Sequence, residues 1–459
     1  MQHIKGLKSP GCDDCDSDHP FQMPKAITES LYDGTLVLFA GAGVSSEGAS
    51  VPIATLYDEI RNEMGLAPET SVSFARLMGM YCDQPDGRAK LLRRIHQRFQ
   101  YIRSHQQLYG RVTRFHTELA TIHPIEAIIT TNWDDYFERE SGAVPLVTPE
   151  DFALWRVPGR KVFKIHGSVN NWGSIVATEQ DYQKCYKSLR DGILGSTLRH
   201  LLGTRTVLYV GYRFADEDFQ RIHGLLRRDM GATMPHGYIV TLDREAAPQL
   251  RRLGLTPIFT DATYFVTILK AHATKDQQML DDERFGGVEQ LLMTLLEKHS
   301  QLFGTVDLRG HPEVAYALSY QDGLIQSFER ILTLKNTGYY SNPRKVWNAI
   351  RTYEGIRKAE LRARRYFDVS YVDGYINGMI YLMLDDESRK GVPLYYVYGA
   401  EQQPKTYTQY RKLSAQASTL HKASYRHAQS LVGSLGENPD HLSVHHPPVL
   451  SWPRSATAP

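Results

Sequence analysis

Cysteine is scarce in this 459-residue chain, at four residues: Cys12, Cys15, Cys82 and Cys185. They are too few and too scattered to staple a chain of this length, so thiols are expected. Cys12 and Cys15 have the spacing of half a zinc knuckle, but no second pair follows, and no metal centre is expected. An excess of one charge sign is missing too. Lys and Arg number 53 against 51 Asp and Glu, a balance of +2, so no global field advertises nucleic acid. No window approaches the run of about 18 apolar residues that a membrane span needs. The start of the chain, residues 1–8, lacks the charged and apolar stretches of a signal peptide, and a cytoplasmic protein without a membrane anchor is expected. There is no internal repeat and no P-loop.

Apolar residues make up 42% of the chain, enough for a sizeable core and, at this length, two or three domains. Between residues 36 and 265, short apolar runs alternate with longer amphipathic stretches, the pattern of βα units in a parallel sheet. The spacing predicts strands at 36–40, 127–131, 162–165, 206–210, 238–242 and 257–260. Most end at Gly, Asn, His or Asp, and ligands of such sheets sit beyond the carboxyl ends of the strands. Between the first two strands, helices at 55–64, 71–81, 88–103 and 111–121 are expected as an insertion capping the sheet. A helix at 288–303 precedes a Gly-, Asp- and Pro-bearing hinge at 304–312. The expected fold is α/β, a Rossmann-like parallel sheet with a helical insertion, followed by a mainly helical C-terminal domain. Its divisions are an N-terminal segment 1–29, a sheet domain 30–303, a helical domain 304–435 for oligomerisation or sensing, and a disordered tail 436–459, rich in Pro, Ser and His.

The helical half is rich in tyrosine, including Tyr339, Tyr340, Tyr366, Tyr371, Tyr375, Tyr381, Tyr395 and Tyr396. Such residues build either interfaces or ordinary helical core. Arg351, Arg357, Lys358, Arg362, Arg364 and Arg365 make a basic helix that meets phosphates or, paired with Glu354 and Glu360, is a solvated face. Nucleic-acid binding is left open.

Chemistry concentrates at three strand ends. The first strand runs into Gly41-Ala42-Gly43-Val44-Ser45-Ser46, where a tight glycine turn lets backbone N–H groups approach a pyrophosphate. Ser46 replaces the third glycine of the usual fingerprint, and a turn of this kind also arises from close βα packing alone. The second strand delivers Thr131, Asn132 and Asp134, placing an amide and a carboxylate side by side. The third delivers His166, with Gly167 beside it to admit a ligand. Three polar strand ends in succession are hard to ascribe to coincidence.

In this order, GAGVS at 41–45, TTNWD at 130–134, IHG at 165–167 and VGYRFADED at 210–218 resemble the sirtuin-type NAD-binding domain. They are most similar to the divergent sirtuin-like branch of prokaryotic antiphage defence, whose members degrade NAD. The resemblance covers about residues 30–270. It implies that Gly41, Ala42, Gly43 and Ser45, with Thr131, hold the pyrophosphate and neighbouring ribose. Asn132 would position the nicotinamide ribose and a nucleophilic water, Asp134 the carboxamide, and His166 would be the catalytic histidine. Gly211 would allow close approach on the adenosine side, where Tyr212 and Arg213 stand in place of the small hydroxyl residues of sirtuins. Asp216 and Asp218 follow the acidic pattern of the branch or cap a helix, and Asp243 faces either the adenosine ribose or solvent.

Sirtuin deacylases carry a four-cysteine zinc module between the middle strands, whereas this chain has Cys185 near that region. Water then replaces an acyl-lysine as acceptor. The resemblance therefore implies NAD as substrate, no metal, and cleavage of the nicotinamide–ribose bond through an oxocarbenium-like transition state. The nicotinamide ring is already cationic, so orienting water (Asn132) and polarising a ribose hydroxyl (His166) matter more than acid assistance. A neutral imidazole, with an ordinary pKa of about 6.5, suits that task. An NAD-depleting effector must be restrained, so a homo-oligomer and an activating partner, such as a ring NTPase or a phage component, are expected. The alternatives are an NAD-dependent protein deacylase and a noncatalytic module that binds NAD or ADP-ribose.

Overall fold

The computed structural model describes residues 18–45, 55–67, 72–212 and 237–434, with a few single positions between 223 and 235. Cys12, Cys15, Ser46, Arg213, Asp216, Asp218 and the 436–459 tail lie outside the described residues. Among the described residues there are seven strands: β1 (Leu36–Ala40), β2 (Ala127–Thr130), β3 (Val144–Leu146), β4 (Lys161–Lys164), β5 (Thr206–Val210), β6 (Gly237–Thr241) and β7 (Leu255–Phe259). They form one sheet in the order β3-β4-β2-β1-β5-β6-β7, with every pairing parallel.

β1 reads LVLFA and is buried throughout, as a strand with neighbours on both edges and helices on both faces must be. Val37 and Phe39 pack on Leu189, Leu194, Leu198 and Leu202 from the helices Glu179–Asp191 and Ile193–Thr204. Against the other face lie the helices Lys25–Tyr32 and Ala262–Lys275, through buried side chains such as Ile27, Leu31, Phe265 and Leu269. The chain runs outward from β1 to β2 and later returns to β1's other edge as β5. β1 therefore marks the reversal of strand order, where doubly wound sheets bind ligands.

The β1–β2 connection is the expected helical insertion. The helices Leu56–Glu63, Phe74–Cys82 and Gly87–Ser104 share an apolar cluster of Ile60, Leu77, Met78, Tyr81, Leu91 and Ile95. Where one helix was expected at 111–121 there are two, Gln106–Val112 and Arg114–Ala120. They break at Thr113, which has left helical geometry and returns its hydroxyl to the Tyr109 carbonyl at 2.8 Å. β3 was not expected: it is three residues long and contains Pro145, which a sheet tolerates at an edge.

Two compact units divide the chain, one reaching Gln278 and including Asn336–Gly338, the other made of Met279–Lys335 and the residues from Tyr339 onward. The division falls ahead of the 304–312 hinge. The helix Glu283–Thr305 packs in the second unit, because its Phe285, Val288 and Leu295 join the cluster of Tyr316, Tyr320 and Phe328. That unit is helical. Its central pair, Val314–Thr333 and Tyr366–Met383, meets backbone to backbone where Gly323 faces Tyr371 and Gly374 faces Tyr320. Tyr340, Tyr366, Tyr371, Tyr375, Tyr381, Tyr395 and Tyr396 are buried and form core, while Tyr339 is exposed. No helix among the described residues is long and apolar enough to cross a membrane.

Candidate active site

Register brings the strand ends level. Ala40 pairs with Thr130 of β2 and Val210 of β5, and Thr130 pairs with Lys164 of β4. Four neighbouring strands thus release the glycine turn, Asn132, His166 and Gly211 at one rim.

At β1 the chain bends into a short 3-10 turn, Ala42–Val44. Gly41 N donates to Val210 O and Gly43 N to Gly211 O, both at 2.9 Å. A Cβ at Gly43 would stand 2.8 Å from the Gly211 Cα, and one at Gly41 would stand 2.6 Å from the Tyr212 ring. Two of these glycines are thus required by the close approach of the β1 and β5 ends, and Gly211, with φ of +71°, occupies a conformation that side chains rarely adopt. Ala42 and Gly43 form the exposed lip. Tyr212 is buried, with its hydroxyl 3.2 Å from Ala40 O and 3.0 Å from Thr131 Oγ1, so it lies across the tip of β1 from β5 to β2.

Asn132 is buried, and both donor contacts of its amide are internal: Nδ2 donates to Gly41 O at 3.1 Å and to Ser45 Oγ at 3.0 Å. Its Oδ1 is buried and has no hydrogen-bond partner. Such an acceptor costs about 1–3 kcal/mol if nothing meets it, and a ligand hydroxyl would. Ser45 Oγ in turn lies 3.3 Å from His116 Nε2. Sequence reasoning missed His116, because it sits inside the helical insertion and no local pattern marks it. Its ring is edge-on to Phe137 at 4.5 Å, and burial pushes its pKa down to about 4, helped by the Lys164 charge and opposed by Asp134.

Asp134 is buried, and its Oδ1 accepts from Tyr136 N at 3.2 Å, capping the start of the helix Tyr136–Ser141. His166 is also buried, edge-on to Tyr182 at 5.0 Å, and its carbonyl accepts from Val176 N at 3.0 Å. Gly167, with φ of +87°, lets the chain turn back where a side chain would collide with Ser174. Asp243 stands beyond β6, exposed, its Oδ1 accepting from Ala246 N at 3.1 Å as a turn cap. The rim thus brings together the glycine lip, Ser45, Thr131, Asn132, Asp134, His166, Gly211 and Tyr212, with Asp243 to one side. A cavity beside Val207, Gly237 and Leu255 belongs to the opposite ends of β5, β6 and β7. Among the described residues no group of His, Cys, Asp and Glu is arranged to hold a metal ion.

A buried amide acceptor beside an imidazole, next to a backbone turn at a strand-order reversal, suits a ligand with sugar hydroxyls and phosphates. A family model described as SIR2-like domain matches residues 126–267. The chain is 28% identical over 204 residues to the NAD(+) hydrolase ThsA of Enterococcus faecium, covering 43% of this chain and 41% of that protein. It is 27% identical over 214 residues to the NAD(+) hydrolase ThsA of Cytobacillus dafuensis, covering 45% and 41%. To Defense-associated sirtuin 2 of Bacillus subtilis it is 22% identical over 221 residues, covering 44% and 20%. The chain thus spans less than half the length of each of these relatives. Residues 126–267 are therefore similar to a SIR2-like domain, and the chain resembles those NAD(+) hydrolases and that defence sirtuin over less than half of its length.

Proposed function

We propose that the protein is an NAD+ hydrolase that cleaves the nicotinamide–ribose bond and releases nicotinamide and ADP-ribose. The observation that carries this reading is the placement of Asn132 and His166 on neighbouring strand tips, with Asn132 Oδ1 buried and unmatched inside the protein. Asn132 accepts from a ribose hydroxyl or from the attacking water and orients it. His166, as a neutral imidazole, takes up a proton at the same sugar. Asp134 holds the carboxamide, while Ala42, Gly43 and Ser45 face the pyrophosphate, backed by Gly41, Thr131, Gly211 and Tyr212. Asp243 takes the adenosine ribose. NAD is the substrate and supplies its own leaving group, a ring that departs without its positive charge.

Two relatives' names favour the same chemistry and a third a setting in defence, which the sequence resemblance narrows to antiphage defence. In that setting the protein acts as a regulated effector, a homo-oligomer whose helical unit meets an activating partner such as a ring NTPase or a phage component. The test is to incubate the full chain with NAD, with and without a candidate activator, and to follow nicotinamide and ADP-ribose. Release by the wild type, lost about 100-fold or more in Asn132→Ala and in His166→Ala, is expected. Saturable binding without turnover would indicate a binding module instead, and release only with an acylated peptide a deacylase.

A further inference from the structure

β4 ends on a lysine amid apolar neighbours: Lys164 follows Val162 and Phe163, precedes Ile165, and is fully buried. Its ammonium donates to the carbonyl oxygen of Asp134 and lies 3.3 Å from Glu138 Oε1. Both partners belong to the chain that leaves β2 and enters the helix Tyr136–Ser141, the stretch that begins with Asn132 and Asp134. Lys164 itself stands two residues before His166. One side chain therefore ties the backbone that bears the amide to the backbone that bears the imidazole.

Stability does not account for this lysine. Taking an ammonium out of water costs several kcal/mol, and a well-packed apolar residue in its place is often neutral or better. Glu138 returns little: its carboxylate is within Coulombic reach, yet neither of its oxygens has an aligned hydrogen bond. The neighbouring peptides are already fastened, Ile165 N to Thr130 O at 2.9 Å and Val169 N to Trp133 O at 2.7 Å. What Lys164 adds is a grip on the next carbonyl, that of Asp134, just where the loop must present its side chains.

We propose that Lys164 is a positioning residue, whose hold on the Asp134 carbonyl sets Asn132 and Asp134 against His166 for the reaction at the rim. This rests on the hydrolase reading above. The test compares wild type, Lys164→Met and the double variant Lys164→Met with Glu138→Leu, all as full chains, by NAD turnover and by melting temperature. In both variants kcat falls about 100-fold, the loss that a misplacement near 1 Å brings, and KM rises by a smaller factor as Asp134 loosens its hold on the carboxamide. Lys164→Met melts lower because Glu138 is left stranded; the double variant recovers its melting temperature but not its kcat.

A double variant with wild-type kcat overturns the proposal, since the lysine would then do no more than neutralise Glu138. So does a loss confined to KM. If the wild type releases no nicotinamide, the hydrolase reading is what fails. The tie is then judged in crystals of the double variant, where a displaced Asp134 carbonyl relative to His166 upholds it and an unchanged one overturns it.

Discussion

His116 is held neutral inside the protein, and its pH behaviour follows from that. Its pKa in the fold is about 4, lowered from the ordinary value of 6.5 chiefly by burial. Between those values the unfolded chain binds a proton that the folded one refuses, so stability is full above about pH 6.5 and is lost as pH falls toward 4. The depression corresponds to about 3 kcal/mol. A melting-temperature series from pH 7 to 4.5 should slope less steeply in His116→Phe than in the wild type. Gly41 makes a second case. The atom nearest an added Cβ belongs to the Tyr212 ring, so Gly41→Ala should destabilise by about 1–3 kcal/mol, and by less in a Tyr212→Ala background. Equal losses in both backgrounds would mean that the ring is not what requires the glycine.

Helices and strands differ in how plainly their residues announce them. β1 is an uninterrupted apolar run, and β2, β4 and β5 hold short apolar runs bounded by threonine or lysine, nearly all of it buried, so they are legible from composition and length. β3 is not, because three residues with a central proline carry no period, and only β4's free edge makes them a strand. The break at Thr113 is equally silent, since an amphipathic period continues through it. In the second unit, Gly323 and Gly374 look like weak points of their helices until the helices are seen to touch there. Gly374→Ala, whose added Cβ would stand 1.9 Å from Tyr320 O, should lower stability by about 1–3 kcal/mol, where alanine in place of an exposed helical glycine would gain roughly 1 kcal/mol, as read by chemical denaturation.

Charge over the whole chain is nearly balanced, and part of the positive charge gathered on and just after the basic helix Pro343–Arg362 is paired within the protein. Arg357 is paired with Asp373, and just beyond the helix Arg365 reaches Glu360 and Asp368. Binding to duplex DNA should therefore be weak, with a shallow dependence on salt; a steep log–log slope, one that counts many released counterions, would contradict this.

Glycines, an asparagine, an aspartate and a histidine, each following an apolar run, were enough to mark the rim, because strand ends and their turn residues are properties of short stretches of chain. Those stretches also determined the parallel α/β class. Only tertiary structure decided that Gly41 and Gly43 serve the contact with Tyr212 and Gly211, that Asn132 spends its amide nitrogen on Gly41 and Ser45 and keeps its oxygen bare, and that His116 and Lys164 stand behind the rim. These facts depend on atoms brought together from stretches up to about 170 residues apart, such as Gly41 and Tyr212. No periodicity encodes such meetings; packing does.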